Sequence, residues 1–355
     1  MINKKLKKKL RIGLLGLGTI VKDRFINLFL NELKNTEVAA VFDLNKKKNY
    51  YYSKIFNCEY VKNENDFFRK DLDFIYISTP PHSHYENIIK SFSYLKNVIV
   101  EKPPVLRVDE LKRLIKISKK KKLLFYTVFQ NRLNSSVKFF KKIYRKKLNK
   151  KIIFITMKLL WSRNQKYYSG WHGKWKTDGG VLSQQGIHFI DLLCYILGSP
   201  KKCVSITNNI SNKLEAEDTH IGLIKFATTN CTFNFTTALK NNDFKSEITF
   251  YFQKEAIRLF GLCCNKIQII YYKKKKNIQN ICKQYSKNTT KSFGISHRDV
   301  LNEIYKTYFK KKICYDLLAE NSLNTLQLVH MLYNSAKKKK FITFNKKNFK
   351  SKLGH

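Results

Sequence analysis

The sequence lacks a long apolar run, since no stretch approaches the roughly 20 residues that a membrane-spanning helix needs. Its eight cysteines form no CxxC pair, and their only close spacing is the adjacent Cys263 and Cys264, which suits neither zinc nor a small disulfide scaffold. Internal repeats and long Pro-rich or Gly/Ser-rich linkers are also missing. These absences predict a globular cytoplasmic protein with reduced thiols, no metal site and no membrane association.

Acidic residues are scarce, with 25 Asp and Glu against 70 Lys and Arg, for a net charge of +45. Such a charge suggests a polyanion partner such as nucleic acid. However, arginine, which is best suited to reading bases, is scarce beside lysine. The lysines recur in short blocks at 7–9, 46–48, 119–122, 273–276, 310–312 and 337–340. We interpret this pattern as lysine drift in an AT-rich genome and predict no specific nucleic-acid partner, with charge-driven polyanion binding as the less favoured alternative.

The first third of the chain alternates short apolar strands with helical segments. Such strands, nearly all apolar, predict a doubly wound parallel sheet covered on both faces. The predicted strands are LRIGLLG, EVAAVFD, DFIYIST, NVIVEKP and LLFYTVF, and the predicted helices cover 19–34, 46–56, 83–94 and 107–120. At 355 residues and 43% hydrophobic composition, the chain is long enough for a second core.

The second part of the chain contains strands in series, which predict an α/β domain with a large, mostly antiparallel sheet that is open on one face. The predicted strands are KIIFITMKLLW and 201–208, 219–227, 230–239, 246–253, 255–260 and 266–272, and the predicted helices cover 134–147, 181–197, 297–311 and 316–336. We therefore predict a Rossmann-type domain over 1–130, an α/β domain over 131–345 and a basic tail over 346–355.

A glycine turn follows the first strand, where Gly16-x-Gly18 precedes a helix. Gly16 permits a tight turn, and Gly18 lets a pyrophosphate approach the backbone and the helix N-terminus. Val21 occupies the third fingerprint position, so an ordinary strand-to-helix turn is the alternative. Asp43 closes the next strand, where an acid accepts hydrogen bonds from a ribose. The pattern predicts dinucleotide binding, and Asp43 favours NAD, although Lys46–Lys48 would suit NADP.

Two further loops end predicted strands of the parallel sheet. STPPHSH carries His82 and His84, which would touch cofactor or substrate or be bystanders of an exposed loop. VIVEKPP carries Lys102, whose ammonium would hydrogen-bond a hydroxyl and exchange a proton with it, or would be a solvated lysine at a strand end. Both loops lie at the carboxyl edge of the sheet, where doubly wound folds bind ligands.

One histidine interrupts the apolar stretch VLSQQGIHFIDLL. At helical spacing Gln184, His188 and Asp191 project along one side. From this stretch alone, His188 is best interpreted as a core histidine whose ring nitrogens are satisfied by neighbours.

The chain resembles the Gfo/Idh/MocA oxidoreductases from about residue 10 to 344. The resemblance rests on GLLGLGTI, STPPHSHY, VEKPP, FQNRLNSSVKFFKK, WHGKWKTDGGVLSQQGIHFIDLLCYILGSP, SHRDVLNEI and NTLQLVHMLYNSAKKKKFI. It implies a Rossmann domain and an α/β domain whose large sheet packs against another subunit, so that the protein is a homo-oligomer. It also implies an NAD(P) cofactor and hydride exchange at a sugar or cyclitol carbon.

The resemblance also implies roles for individual residues. Lys102 would meet the reacting hydroxyl, and His188 would share the substrate proton with it. Many family members carry aspartate at the position of Gln184, whereas some sugar-nucleotide members carry an amide, which favours a sugar nucleotide as substrate. The Lys102–Pro103 bond is expected to be cis. The implied cofactor contacts are Gly16, Gly18, Thr19, Ile20, Asp43, Ser78, Thr79, Pro80, His84, Glu101 and Lys102.

The expected substrate wall comes from the second domain. Arg132 would suit a carboxylate or phosphate, and the aromatics would stack on sugar rings or pack between domains. The candidates are Gln130, Arg132, Trp161, Arg163, Trp175, Gln184 and His188. We predict an NAD(P)-dependent oxidoreductase acting on a sugar nucleotide in surface-polysaccharide synthesis. The alternative is a catalytically inactive NAD(P)-binding sensor or partner subunit.

Overall fold

The computed structural model describes residues 9–146, 151–271, 276–289, 294–345 and 350–355. The chain divides into two compact units. The first runs to Val105 and adds Glu110–Val128 and His297–Glu320, and the second comprises Leu106–Asp109, Phe129–Ser296 and Asn321–His355. The segment from His297 thus belongs to the first unit, although it follows most of the second in sequence. The predicted basic tail lies partly outside the described residues.

A parallel sheet forms the core of the first unit and confirms the predicted Rossmann architecture. Its strands are β1 (Leu10–Leu15), β2 (Thr36–Phe42), β3 (Phe74–Ile77), β4 (Asn97–Val100) and β5 (Phe125–Thr127). Within the described residues they pair in the order β2-β1-β3-β4-β5, and every pair is parallel. All residues of β3 and β5 are buried, as expected for strands covered on both faces. The carboxyl ends of these strands meet at one edge.

The helices of the described residues include the predicted ones, in the predicted order. They are α1 (Lys46–Ile55), α2 (Glu64–Arg69), α3 (His84–Ser93), α4 (Val108–Lys120), α5 (Ser135–Lys146), α6 (Ile187–Leu197), α7 (Lys276–Gln284), α8 (His297–Lys310) and α9 (Leu323–Lys338). The short helices α2 and α7 were not predicted. The helix predicted over 316–336 begins only at Leu323, after two 3₁₀ turns. The helix predicted over 19–34 is wound largely as π turns at Val21–Phe25 and Leu28–Glu32.

The second unit is built on a mostly antiparallel sheet, as predicted. Its strands are β6 (Ile152–Leu160), β7 (Lys202–Asn208), β8 (Thr219–Lys225), β9 (Asn230–Thr236), β10 (Lys245–Phe252), β11 (Glu255–Phe260), β12 (Lys266–Tyr271) and β13 (Ile342–Thr343). Among the described residues their order is β12-β11-β10-β6-β9-β8-β7-β13, and only β6 and β9 pair in parallel. Buried and exposed residues alternate along β9, so one face of the sheet packs on the core and the other is open.

Candidate active site

The loop after β1 is a tight turn that requires glycine at its first position. Gly16 has φ +90°, and its amide donates to the Phe42 carbonyl at 2.8 Å. A Cβ on Gly16 would lie 2.7 Å from the backbone nitrogen of Thr79, in the loop after β3. The turn and the Thr79 loop therefore approach more closely than any side chain allows.

Gly18 is glycine for a different reason, since a Cβ there would have no heavy atom within 4 Å. Its carbonyl accepts from Val21 and Lys22, and Thr19 and Ile20 begin the helix. The space beside Gly18 thus adjoins the amide groups of a helix N-terminus, which is the arrangement that binds a pyrophosphate. These residues fit a dinucleotide.

We expect the Gly18→Ala variant to keep its melting temperature and to lose about tenfold or more in NADH affinity. The added methyl enters open space in the protein but moves the phosphate away from charge-assisted backbone hydrogen bonds. Gly16→Ala is the matched control. This variant should lose about 1–2 kcal/mol of stability, because residue 16 has a positive φ and a close backbone contact. Fluorescence titration with NADH measures the affinity of each variant, and thermal melting measures its stability. A Gly18→Ala variant with unchanged affinity would contradict the pyrophosphate assignment.

Asp43 lies directly after β2 and joins the glycine turn to the start of α1. One carboxylate oxygen accepts from the Leu17 amide at 2.8 Å and the other from the Asn45 amide at 2.9 Å. The Lys48 ammonium is 3.7 Å from the carboxylate. The acid is thus held at the carboxyl edge of β2, where the sequence predicts a ribose contact.

His84 is enclosed by the loop that it was predicted to present to a ligand. Its side chain is 0% exposed, and its two ring nitrogens lie 2.9 Å from the Pro103 carbonyl and 2.8 Å from the Thr79 carbonyl. Burial lowers the pKa of His84, although both carbonyls oppose this. The ring therefore links the loop after β3 to the loop after β4 and has no exposed edge for a ligand. Ser78, Thr79 and Pro80 of the same loop are half-buried.

Glu101 and Lys102 follow β4 directly, and the Lys102–Pro103 bond is cis, as predicted. Glu101 accepts from the Tyr76 hydroxyl at 2.8 Å, and Nε2 of His297 lies 3.4 Å from the same carboxylate oxygen. Burial would raise the pKa of Glu101, but His297 and Tyr76 hold it below its ordinary value. Lys102 is half-buried, as is Glu101, whereas His297 is buried. Sequence reasoning missed His297, because it belongs to α8, far away in sequence.

The structure does not support the predicted role of Arg132 as a ligand for a substrate carboxylate or phosphate. Its side chain is 2% exposed, and its guanidinium pairs with Asp191 through Nε at 2.8 Å and through Nη2. The Thr325 hydroxyl also donates to Asp191 at 2.9 Å. Because its charge is already paired in the core, Arg132 is a structural residue rather than a ligand for a substrate anion. Gln130 is likewise buried, at 3% exposed.

Gln184 and His188 lie on one continuous helical segment, where a π turn over Leu182–Gly186 leads into α6. Gln184 Nε2 donates to a carboxylate oxygen of Asp178 at 3.0 Å. His188 is half-buried, and its ring lies edge-on to Phe129 at 6.4 Å. The structure thus gives Gln184 an acidic neighbour that sequence reasoning did not select, although Asp178 stands directly before a pair of glycines.

The predicted aromatic wall divides into buried and accessible parts. Trp161 is 5% exposed and donates from its indole to Ser246 at 2.6 Å, which favours packing over sugar binding. Arg163 donates to Asp243 at 2.9 Å and is partly exposed. Trp175 is half-buried and contacts Tyr333 edge-on. Arg163 and Trp175 therefore remain the accessible candidates of this group.

Within the described ranges, no group of three or more His, Cys, Asp or Glu side chains is arranged to hold a metal ion. In the same part of the chain, no helix combines the length and the apolar character that a membrane span needs.

The comparisons with known proteins agree with this geometry. Residues 10–129 match the model of the oxidoreductase family, NAD-binding Rossmann fold, and residues 150–344 match that of the oxidoreductase family, C-terminal alpha/beta domain. The structure of the WlbA dehydrogenase from Bordetella pertussis, in complex with NADH and UDP-GlcNAcA, has a TM-score of 0.87 and 23% identity, and covers 95% of this chain and 98% of that chain. At this identity the likeness is one of fold.

Two curated relatives are similar over part of their length. The dTDP-3,4-didehydro-2,6-dideoxy-alpha-D-glucose 3-reductase of Saccharopolyspora spinosa is 31% identical over 120 residues, 34% of this chain and 36% of that protein. The glucose-6-phosphate 3-dehydrogenase of Bacillus subtilis is 22% identical over 214 residues, 59% of each chain. The chain therefore spans less than two thirds of the length of these curated relatives.

Proposed function

Since this chain belongs to the Gfo/Idh/MocA oxidoreductase family, we propose that it transfers a hydride between NAD(P) and a ring carbon of a sugar, interconverting a hydroxyl and a ketone. The observation that carries the proposal is the space beside Gly18 at the start of a helix, with Asp43 held at the next strand end. Gly16 and Gly18 would hold the pyrophosphate and Asp43 the ribose. Asp43 favours NAD, because its charge repels the 2′-phosphate of NADP.

Lys102 and His188 are the proposed acid–base residues. The nicotinamide supplies the hydride acceptor or donor. Lys102 takes the proton of the reacting hydroxyl in the oxidative direction and returns it in the reductive one. His188 shares that proton, and Gln184, which orients a hydroxyl but takes no proton, contacts the substrate. The proposed acid–base work thus falls on a lysine and a histidine alone.

The proposed substrate is a sugar nucleotide. A reductase that acts on a dTDP-sugar is among the relatives, and the WlbA dehydrogenase was crystallised with UDP-GlcNAcA. The amide at position 184 supports the same class, because some sugar-nucleotide members of the family carry an amide there. A role in surface-polysaccharide synthesis follows as the proposed use of the product. The eight free cysteines support a reducing compartment, the cytoplasm, as its location.

A substrate panel tests this function. UDP-, dTDP- and CMP-sugars are each incubated with NAD and with NADP, and nicotinamide absorbance is followed. We expect turnover with a sugar nucleotide, faster with NAD than with NADP. NADH binding without turnover of any sugar nucleotide would contradict the proposal and favour a sensor or partner subunit.

We propose that the open face of the second unit's sheet forms a homo-oligomer interface. Exposed apolar side chains lie along it, among them Phe154 on β6 and the directly paired Ile206 and Ile221 on β7 and β8. An exposed apolar patch of this kind is typical of an interface. Sedimentation equilibrium should therefore give a multiple of the 42.1 kDa chain mass. A monomer at micromolar concentration would contradict the interface.

A further inference from the structure

A buried carboxylate lies against the side chain that occupies position 184. Asp178 is 1% exposed, and it receives three hydrogen bonds from within the second unit. His172 Nδ1 lies 2.8 Å from Oδ2, the Gly173 amide donates to Oδ1 at 2.8 Å, and Gln184 Nε2 donates to Oδ2 at 3.0 Å. Gly173 and Gln184 donate to Asp178, and His172 does so when Nδ1 carries the proton. Burial raises the pKa of Asp178, and these donors oppose that rise because they favour the ionised carboxylate.

The arrangement around His172 keeps Asp178 in this position. The imidazole stacks on Tyr167 with ring centroids 4.0 Å apart and contacts Trp171 at 3.7 Å. Its Nδ1 faces Asp178, and an ionised Asp178 favours the neutral tautomer that carries the proton on that nitrogen. His172 and Gly173 also line an open depression of about 290 Å³. The aromatic stack therefore positions the His172 ring, and the ring in turn holds the carboxylate.

An ionised carboxylate determines which end of an amide faces it. It accepts hydrogen bonds and donates none, so only the Nε2 end of Gln184 satisfies Asp178, and Oε1 turns the other way. We propose that Asp178 is a positioning residue that sets the Gln184 amide with Oε1 toward the substrate hydroxyl, and that a carboxylate at position 178 requires a neutral side chain at position 184. The inference rests on the proposed function, in which Gln184 contacts the substrate.

The same geometry makes an acid at position 184 incompatible with Asp178. The isosteric Gln184→Glu change exchanges Nε2 for a carboxylate oxygen about 3 Å from Oδ2. Two carboxylates at this separation do not both ionise and share one proton. The other charged or titratable groups near the pair include His172, Tyr167 and, beyond the Tyr167 ring, Arg163. His188 lies one helical turn after Gln184 and is a further titratable side chain.

The test is a double-mutant cycle of Asp178→Asn, Gln184→Glu and their combination in the full-length protein. Asp178→Asn brings an amide nitrogen to a place where three donors converge, so it turns the Gln184 amide over. The combined variant restores one donor facing one carboxylate, with the charges exchanged. Each variant is measured by kcat/KM with the best sugar nucleotide and by thermal melting of the apo protein between about pH 5.5 and 8.5.

We expect each single variant to lose about tenfold or more in kcat/KM at pH 8, and the combined variant to recover most of that loss, as for strongly coupled neighbours. In the Gln184→Glu variant, repulsion between the two carboxylates raises the pKa at which the pair loses its shared proton. Its kcat/KM and melting temperature, relative to wild type, therefore recover as pH falls and decline as pH rises through that pKa. The combined variant should show no such additional pH dependence.

Glu247→Gln is the matched control. It removes one carboxylate charge from the same unit, but Glu247 pairs with Lys245 and Arg258 rather than with Gln184 or Arg163. When this control is combined with Gln184→Glu, the two fold-losses in kcat/KM should multiply, and no activity should be recovered.

The outcomes separate this inference from the proposed function. Coupling in both kcat/KM and melting temperature supports the positioning role. An active wild type whose variants couple in melting temperature but not in kcat/KM would overturn it, since the contact would then serve stability alone. Additive effects in both measurements would overturn it as well. A wild type without turnover of any sugar nucleotide would instead refute the proposed function, and this inference with it.

Discussion

The Lys102→Met variant should lose about a thousandfold in kcat, because methionine keeps the length of the side chain but can neither donate nor accept the substrate proton. Lys102 follows Glu101, whose carboxylate is held by Tyr76 and lies beside His297, so the backbone at this strand end is fixed. The loss should therefore come from the missing proton transfer rather than from disorder. Stopped-flow and steady-state kinetics with the best substrate measure it.

Two measurements show whether the loss of kcat comes from the missing proton transfer. NADH affinity should remain unchanged, because the glycine turn that we assign to the pyrophosphate is untouched. Lys96→Met is the matched control, since Lys96 precedes the same strand at its opposite end and donates to the Lys70 carbonyl. It should leave kcat close to the wild-type value. A Lys102→Met variant with wild-type kcat would end the assignment of Lys102 as the acid–base residue.

The Asp191→Asn variant should lose about 3–5 kcal/mol of unfolding free energy, the second large effect that we expect. The change leaves the buried guanidinium of Arg132 without its counter-charge, and an uncompensated buried charge is far more costly than a missing ion pair. Burial raises the pKa of Asp191, and Arg132 opposes that rise. Urea unfolding followed by tryptophan fluorescence measures the loss.

Two further variants identify the cause. The double variant Arg132→Met, Asp191→Leu should recover most of the lost stability. Two packed apolar side chains leave no unpaired charge in the core. Glu303→Gln breaks the exposed Lys306–Glu303 pair instead and should cost less than about 1 kcal/mol. An Asp191→Asn variant within 1 kcal/mol of wild type would show that Arg132 is not charged and buried as described.

Local patterns predicted most of the fold. Apolar segments between turn signals identified all the central strands, and the alternation of the first five with helices indicated the parallel sheet. The π turns over Val21–Phe25 and Leu182–Gly186 could not be predicted from such patterns, because helical periodicity assumes 3.6 residues per turn. The two-residue strand β13 was too short to leave a periodic signal.

Partners distant in sequence explain what sequence reasoning missed at the candidate site. Arg132 looked like an anion ligand because arginine commonly is one, yet its counter-charge lies 59 residues away and buries it. His297 approaches Glu101 only because α8 returns to the first unit. Asp178 precedes the glycine pair, and only the fold places its carboxylate against the Gln184 amide. In each case the residue type was visible, and its partner was set by the fold.

Transfer of an isotopic label tests the central claim most directly. NADH carrying deuterium at both C4 positions is incubated with the keto form of the best sugar-nucleotide substrate, and the product is examined by NMR and mass spectrometry. The account predicts one deuterium on the ring carbon that bears the new hydroxyl, with transfer about a thousandfold slower in Lys102→Met. A product without deuterium, or NADH that stays bound and unoxidised with every sugar nucleotide, would contradict it.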